Sequence, residues 1–479
     1  MKRVMFFLLS AVLLVFMVLS LSLQGCKTVA SGETAASLET ITGETTATET
    51  TATETTATET TTGEPIELIF WHQMAPGEPR LQWLEQKIQE FEALHPNITI
   101  TIDSTPQNEM PMIMQTLMAA HRGPDIMSYW EGLPLMQIAD NLMDFKELWT
   151  QEQIDEFVPE IVQTSYMNFD TSNKLLGIPA IGIGLFFYHY NKAMFKDAGI
   201  TWEPTEDNDY TMTWAEFTDA CSMLKAKGYT PIGWGNESGN MTLWYFDSLA
   251  YNYLQKDDWK KLFSGELKWN DQKFIESTTK LDELVKAGYF NKGGLTLDWT
   301  SGINTVKNKE AAMQQAWWGY NTKETWEALG NDYGMMKLPV INPDNPIAKA
   351  LQIASPDRFI IPVWSENPKE AAEFIYFISN KESFQELSDL VGGIGPRKDF
   401  DPTYNSSGDF GPYFNLAYNW FVNTPKEPSY ENVAYPTEIN YELSGKSIEL
   451  FNGSINVQQY LDALQARFEQ LDYPWITGR

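Results

Sequence analysis

Aromatic rings stand beside carboxylates and amides at several points of this chain that read as loops. His72 and Gln73 follow the apolar run Ile66 to Trp71, and Trp130 and Glu131 follow "PDIMS". Farther on, Trp234, Asn236 and Glu237, then Asn240 and Trp244, close or follow the segment "TPIGWG". Such groupings suit a ligand with an apolar C–H face and a rim of hydroxyls, as a sugar ring has. Flat aromatics take the face, and Asp, Glu, Asn or Gln take the rim. Asp298 with Trp299, Trp420, and "AYPTEINY" from Ala434 to Tyr441 offer the same residue types. Two carboxylates flanking a glycosidic bond would make a hydrolase instead. Glu131 and Glu237 could imitate that pair, although no local signature accompanies either.

Other chemistries find little support. G-x-x-x-x-G-K-[ST], G-x-S-x-G and H-E-x-x-H are all missing, and "IGIG" lacks the third glycine of a dinucleotide loop. The four histidines, His72, His95, His121 and His189, have no metal-ligand spacing, so neither a metal nor another cofactor is expected. His95 and His121 end predicted helices, where a cation answers the helix dipole. Trp83, Trp149, Trp202, Trp214 and Trp326 sit at helical or turn positions and read as packing.

The elements that must position these residues begin at Ile66. Leu81, Leu84, Ile88, Phe91 and Leu94 recur at helical spacing and Pro96 follows them. "ITITID" is rich in β-branched residues and reads as a strand. A helix through Ile113, Leu117 and Ala120 comes next, then the strand "PDIMSYW". Strand, helix, strand, helix, strand predicts a parallel sheet with ligands at the carboxyl ends of its strands. Beyond it lie the glycine-punctuated stretch "LLGIPAIGIGLFFYHYNKAMF", a helix and strand in "TWAEFTDACSMLKAKGYTPIGWG", and a helical pair in "SENPKEAAEFIYFISNKESFQEL".

The N-terminus is of another kind. Lys2 and Arg3 precede an apolar run, Val4 to Leu23, and "LQGC" ending at Cys26 resembles a bacterial lipobox. Residues 1–25 are therefore expected to be a lipoprotein signal, with Cys26 the lipid-attachment residue. Residues 26–64 follow as a tether in which "TTATE" occurs three times between Thr45 and Glu59. That polar sequence has no apolar surface to offset the cost of ordering it. Removing residues 1–25 changes the formal charge from −30 to −32, because it takes away Lys2 and Arg3 and no acid. Such a field repels nucleic acid, so none is expected as a partner. With Cys26 lipidated, Cys221 is the only other thiol, and no intrachain disulfide is possible.

The order "FFYHYN", "TWAEF…LKAKGYTPIG", "AAMQQAWWG", "MMKLPV", "NPKEAAEFIYFISN" and "GGIGPRKD" resembles the family 1 extracellular solute-binding proteins, the maltose-binding type among them. The resemblance covers nearly everything from Pro65 to Arg479. It implies a periplasmic-binding-protein-like α/β fold of two lobes, residues 65–180 with 352–392 and 181–351 with 393–479. Three hinge crossings are expected near Ile178 to Gly184, Leu351 to Pro356 and Gly392 to Pro396, with the ligand in the cleft between the lobes. It also implies that Trp317 and Trp318 stand where the family places a groove tryptophan, although neighbouring side chains of an extended segment point to opposite faces. The expected protein is a monomeric, non-enzymatic, lipid-anchored receptor that presents a carbohydrate to the membrane permease subunits of an importer. A sensor or adhesion lipoprotein on the same fold is the other alternative, since fold does not fix function.

Overall fold

The computed structural model describes residues 63–477 apart from residues 75, 106–109, 181, 257, 320, 356, 406 and 407. The signal segment, Cys26 and nearly all of the tether lie outside these residues. Among the described residues no helix is long and apolar enough to cross a membrane.

Strands β1 (Ile66–His72), β2 (Ile98–Ser104) and β3 (Ile126–Trp130) are joined by helices α1 (Pro79–Leu94) and α2 (Met110–Ala120). Pro79 fits the first turn of α1, where its missing N–H costs no hydrogen bond. The helix buries Trp83, Leu84, Ile88 and Phe91 against the sheet. Each such side chain contributes about 1.5–3 kcal/mol of apolar burial. β1 pairs in parallel with both β2 and β3, as the alternation of elements predicts. The sheet runs β2-β1-β3-β9-β4, completed by β4 (Ile178–Pro179) and, antiparallel, β9 (Asp357–Ile360).

The second sheet runs β10-β8-β5-β6. It consists of β5 (Gly184–Asn191), β6 (Met313–Trp317), β8 (Leu351–Ala354) and β10 (Lys426–Pro428), with β7 (Tyr333–Met336) also paired to β5. Every residue of β5 is buried, as a strand covered on both faces requires. Helix α3 (Trp214–Lys227) opens with a Thr213/Glu216 capping box and stops at Gly228 in the left-handed region, φ 98°. "TPIGWG", expected as a strand, pairs only through Ile232. The backbone of this proline- and glycine-dotted segment bonds one residue at a time, Ile232 N to Tyr289 O and Gly233 N to Met313 O.

The chain passes between sheets after Pro179, where it enters β5, and between Ala354 and Asp357, where it returns to β9. A third passage follows the helical pair α4 (Pro368–Ile378) and α5 (Lys381–Val391), which packs on the first sheet. These passages lie side by side. Gly184 pairs with Ala354, and Ile183 N donates to Ile394 O at 2.6 Å. Gly184 is needed here, because a Cβ would fall 1.8 Å from the Trp317 indole nitrogen.

Two boundaries differ from expectation. Residues 352–354, expected with the first lobe, belong to β8 and pair with the second sheet. Arg397, expected with the second lobe, is tied to first-lobe residues by Glu156 at 2.8 Å and by the Ser379 carbonyl. Strand pairing decides the first place and a buried guanidinium the second.

Candidate functional site

The first lobe presents the ends of β1 and β3. His72 is buried, and its Nδ1 accepts the Met74 N–H at 3.2 Å; burial lowers its pKa against the pull of Asp103 and Glu78. Gln73 donates from Nε2 to the Ser128 carbonyl at 2.9 Å, which leaves its buried Oε1 without a partner. Trp130 is half-buried at the end of β3, beside Tyr129.

Glu131 is placed differently from expectation. It is 1% exposed, bonded to Thr164 Oγ1 and paired at 2.5 Å with Arg358 Nη2. Arg358 is fully buried and also donates to Ser165 Oγ, to the Ser355 and Asp357 carbonyls beside the second passage, and to the Ile161 carbonyl. Burial pushes Glu131 up and Arg358 down, and the attraction between them opposes both shifts. Through Oε2, Glu131 therefore fastens the second passage to the first lobe, while its buried Oε1 has no partner.

The second lobe presents an aromatic wall. Helix α6 (Asn240–Ala250) starts at Asn240 and carries Trp244 one turn on. Trp244 stands edge-on to Trp299 at 6.2 Å and to Phe186 at 5.5 Å, and Phe186 meets Trp317 edge-on at 4.5 Å. The wall so runs from half-buried Trp299 to Trp317, which lines a small apolar pocket among the passages with Trp318, Ile183, Leu387, Ile394 and Arg80.

Trp318 meets that pocket from within the lobe's core. It stacks on Phe410 at 5.8 Å in the lobe's core and is 1% exposed. Trp234 is equally buried, stacked on Phe290 at 4.0 Å, and Trp420 is 2% exposed. All three pack into their lobe's core. Asp298 caps a short helix at Ser301 N, 2.8 Å, and Glu237 is exposed.

Polar atoms border the wall. Asn236 accepts Thr242 N–H and O–H through Oδ1, capping α6, but its buried Nδ2 has no partner. Ser238 Oγ, Glu431 Oε2 and Asn440 Oδ1 are buried and unpartnered as well. They share a neighbourhood with the wall. The Trp244 side chain hydrogen-bonds Glu431, and Asn440 Nδ2 donates to the Glu431 carbonyl at 3.4 Å. Gly239, left-handed at φ 78°, backs onto helix α7 (Thr437–Phe451), where a Cβ would meet Ser444 O at 2.2 Å. Buried polar atoms without partners are rare in folded proteins, and here they mix donors and acceptors. Among the described residues no group of three or more His, Cys, Asp or Glu could hold a metal.

Behind Glu431 lies Asp247. It accepts from Tyr430 N at 2.9 Å, Ser429 Oγ at 3.1 Å and Tyr435 Oη at 3.2 Å. Burial nevertheless pushes Asp247 up to about 7, and burial together with Asp247 holds Glu431 well above the carboxylate range. A carboxyl raised on folding contributes stability fully below its unfolded value, about 3.9, and loses that contribution as pH rises through the folded value. Asp247→Asn is therefore expected to lose less stability than the wild type between about pH 4 and about pH 8 in denaturant melts. Parallel pH profiles would show that Asp247 does not titrate in that window.

Two sheets joined by three adjacent passages, with an aromatic wall beside them, define a periplasmic-binding-protein-like fold. Residues 75–383 match the bacterial extracellular solute-binding proteins, and the chain belongs to that family. Membership places its folded body outside the cytoplasm. An uncharacterized ABC transporter extracellular-binding protein of Pyrococcus horikoshii is 27% identical over 310 residues, 61% of this chain and 64% of that one. A chitin oligosaccharide binding protein superposes with a TM-score of 0.75 at 20% identity, covering 85% of this chain and 99% of its own. Maltose-bound MalE3 of T. maritima gives 0.69 at 17% identity, over 84% and 99%.

The structure thus gathers Asn236, Asn240, Trp244 and Trp317 on or beside one wall, with His72, Gln73 and Trp130 at strand ends in the other lobe. Phe186 and Glu431 were missed by sequence reasoning. Phe186 lies inside a continuous apolar run, and Glu431 in a segment without periodicity.

Proposed function

We propose that this protein captures a neutral sugar or oligosaccharide between two hinged lobes and delivers it to the permease of an ATP-binding-cassette importer. The aromatic wall from Trp299 to Trp317, bordered by unpartnered buried donors and acceptors, carries this reading. Aromatic faces match the C–H surface of a pyranose, and the unpartnered atoms match its hydroxyls. None of the residues that carry these unpartnered atoms is Lys or Arg, and Arg80, in the pocket beside Trp317, is paired with Glu78, which favours an uncharged ligand. The names of the structural neighbours, one a chitin oligosaccharide binder and one bound to maltose, support the same class. The lobes are read as residues 65–180 with 355–395 and 182–354 with 400–477, moving about the three passages. A hydrolase would need a free carboxylate pair, and Glu131 is committed to Arg358.

Cys26 is read as the lipid anchor and residues 26–64 as the spacer; a Cys26→Ser protein should change its membrane fraction and mass. For the ligand, trisaccharides of glucose, of xylose and of N-acetylglucosamine form a first panel. At a hundred times Kd a bound sugar should add about 2.7 kcal/mol of stability, visible as a thermal shift, and should be recovered uncleaved. Cleavage of the bound sugar, or shifts only with charged compounds, would overturn the proposal.

A further inference from the structure

Gln137 ends the short helix Leu133–Gln137 that follows β3. Its amide is engaged entirely by the other lobe. Nε2 donates to Glu438 Oε2 at 2.9 Å and to Tyr473 Oη at 2.5 Å. Oε1 accepts from Thr437 N at 3.1 Å and from Thr437 Oγ1 at 2.8 Å. Tyr473 Oη in turn donates a hydrogen bond to Glu438 Oε1 at 2.8 Å. Two N–H donors and one carbonyl with two lone pairs are all a glutamine amide has, and every one is used across the lobes.

The C-terminal segment makes a second bridge. Tyr473 stacks on Trp475 at 4.5 Å, and Trp475 stacks on Phe263 at 6.0 Å. Trp475 also packs on the first-lobe cluster that contains Met114, Tyr129 and Leu133. From the first lobe, Phe169 reaches Trp259 edge-on at 5.1 Å. Asn168 and Phe169 are both left-handed, φ 55° and 56°, a costly backbone for two successive residues with side chains. None of these residues belongs to a passage between the sheets.

We propose that Gln137 is the positioning residue of a latch that holds the lobes shut and sets how slowly a captured ligand leaves. Tyr473 and Trp475 form the strap it fastens. The latch acts through lobe closure; it rests on the receptor reading for its purpose but not for its existence. The groups that face it are Thr437, Glu438 and Tyr473, with Tyr129 and Tyr441 near Glu438 and Tyr473, and Arg467 acting on Tyr473.

The test compares the full mature wild type with Gln137→Ala and Gln137→Glu. A glutamate at this place would set a second negative charge against Glu438, and protonation would restore a donor. Small-angle scattering without sugar should find Gln137→Glu more open than the wild type at about pH 7.5 and closed again near pH 4.5. Gln137→Ala should be more open at both. Equal dimensions for all three proteins at both pH values would overturn the latch. With whichever of the three trisaccharides binds, Gln137→Ala should release it about tenfold faster, a hydrogen-bonded charge contact being lost. A change confined to association would also overturn it. If none of the sugars binds the wild type, the receptor reading fails, while the scattering still decides the latch.

Discussion

Arg358→Ala is expected to lower unfolding stability by about 3–5 kcal/mol, the scale for removing one partner of a buried ion pair. Its guanidinium is fully buried and satisfies Glu131, Ser165 and three carbonyls, so the variant strands a carboxylate and several acceptors at once. The passage between β8 and β9 loses its fastening in the same step. Replacing both partners with apolar residues, Glu131→Leu with Arg358→Met, should recover part of the loss, because the Glu131 carboxylate is then no longer stranded. Denaturant melts of the two proteins decide the matter. A loss below about 1 kcal/mol in Arg358→Ala would mean that Glu131 is hydrated and available to a ligand, as the sequence first suggested.

Trp244→Ala is expected to weaken sugar binding by roughly 2 kcal/mol or more while costing little stability. Trp244 is half-buried, touches Phe186 and Trp299 through ring edges, and hydrogen-bonds Glu431, so its removal takes away the centre of the wall. Trp234→Ala, only ten residues earlier, should do the reverse. Trp234 is 1% exposed and stacked on Phe290, and deleting a buried aromatic costs about 3–5 kcal/mol. Ligand titration by tryptophan fluorescence beside melts of both variants separates the roles. Equal binding by Trp244→Ala and the wild type would remove the wall from the site.

Much of the first sheet was legible in the sequence, because period-2 and period-3.6 patterns alternate cleanly from Ile66 to Trp130 and local pairing follows them. The tryptophans were legible only as a class. Trp317 and Trp318 had to point to opposite faces, yet which one joined Phe186 in the wall depended on β6 pairing with β5, Phe186 opposite Trp317. Glu131 read as a loop carboxylate because its partner Arg358 lies 227 residues away, beyond any local signal. The passages were placed by family resemblance rather than by residue pattern. Where the placement slipped, at residues 352–354 and at Arg397, long-range pairing had the deciding contribution. Gln137 gave no signal at all, since an amide is recognisable as a latch only when its four partners are in view.

The central claim is that a sugar sits on the aromatic wall between the lobes, with its hydroxyls bonded to atoms that now lack partners. Determining the structure of the complex with the tightest-binding trisaccharide tests this most directly. A ring should lie against Trp244 or Trp299, with hydroxyls about 2.7–3.2 Å from at least two of Asn236 Nδ2, Ser238 Oγ, Glu431 Oε2 and Asn440 Oδ1. A sugar bound elsewhere, with those four atoms still unpartnered, would contradict the account.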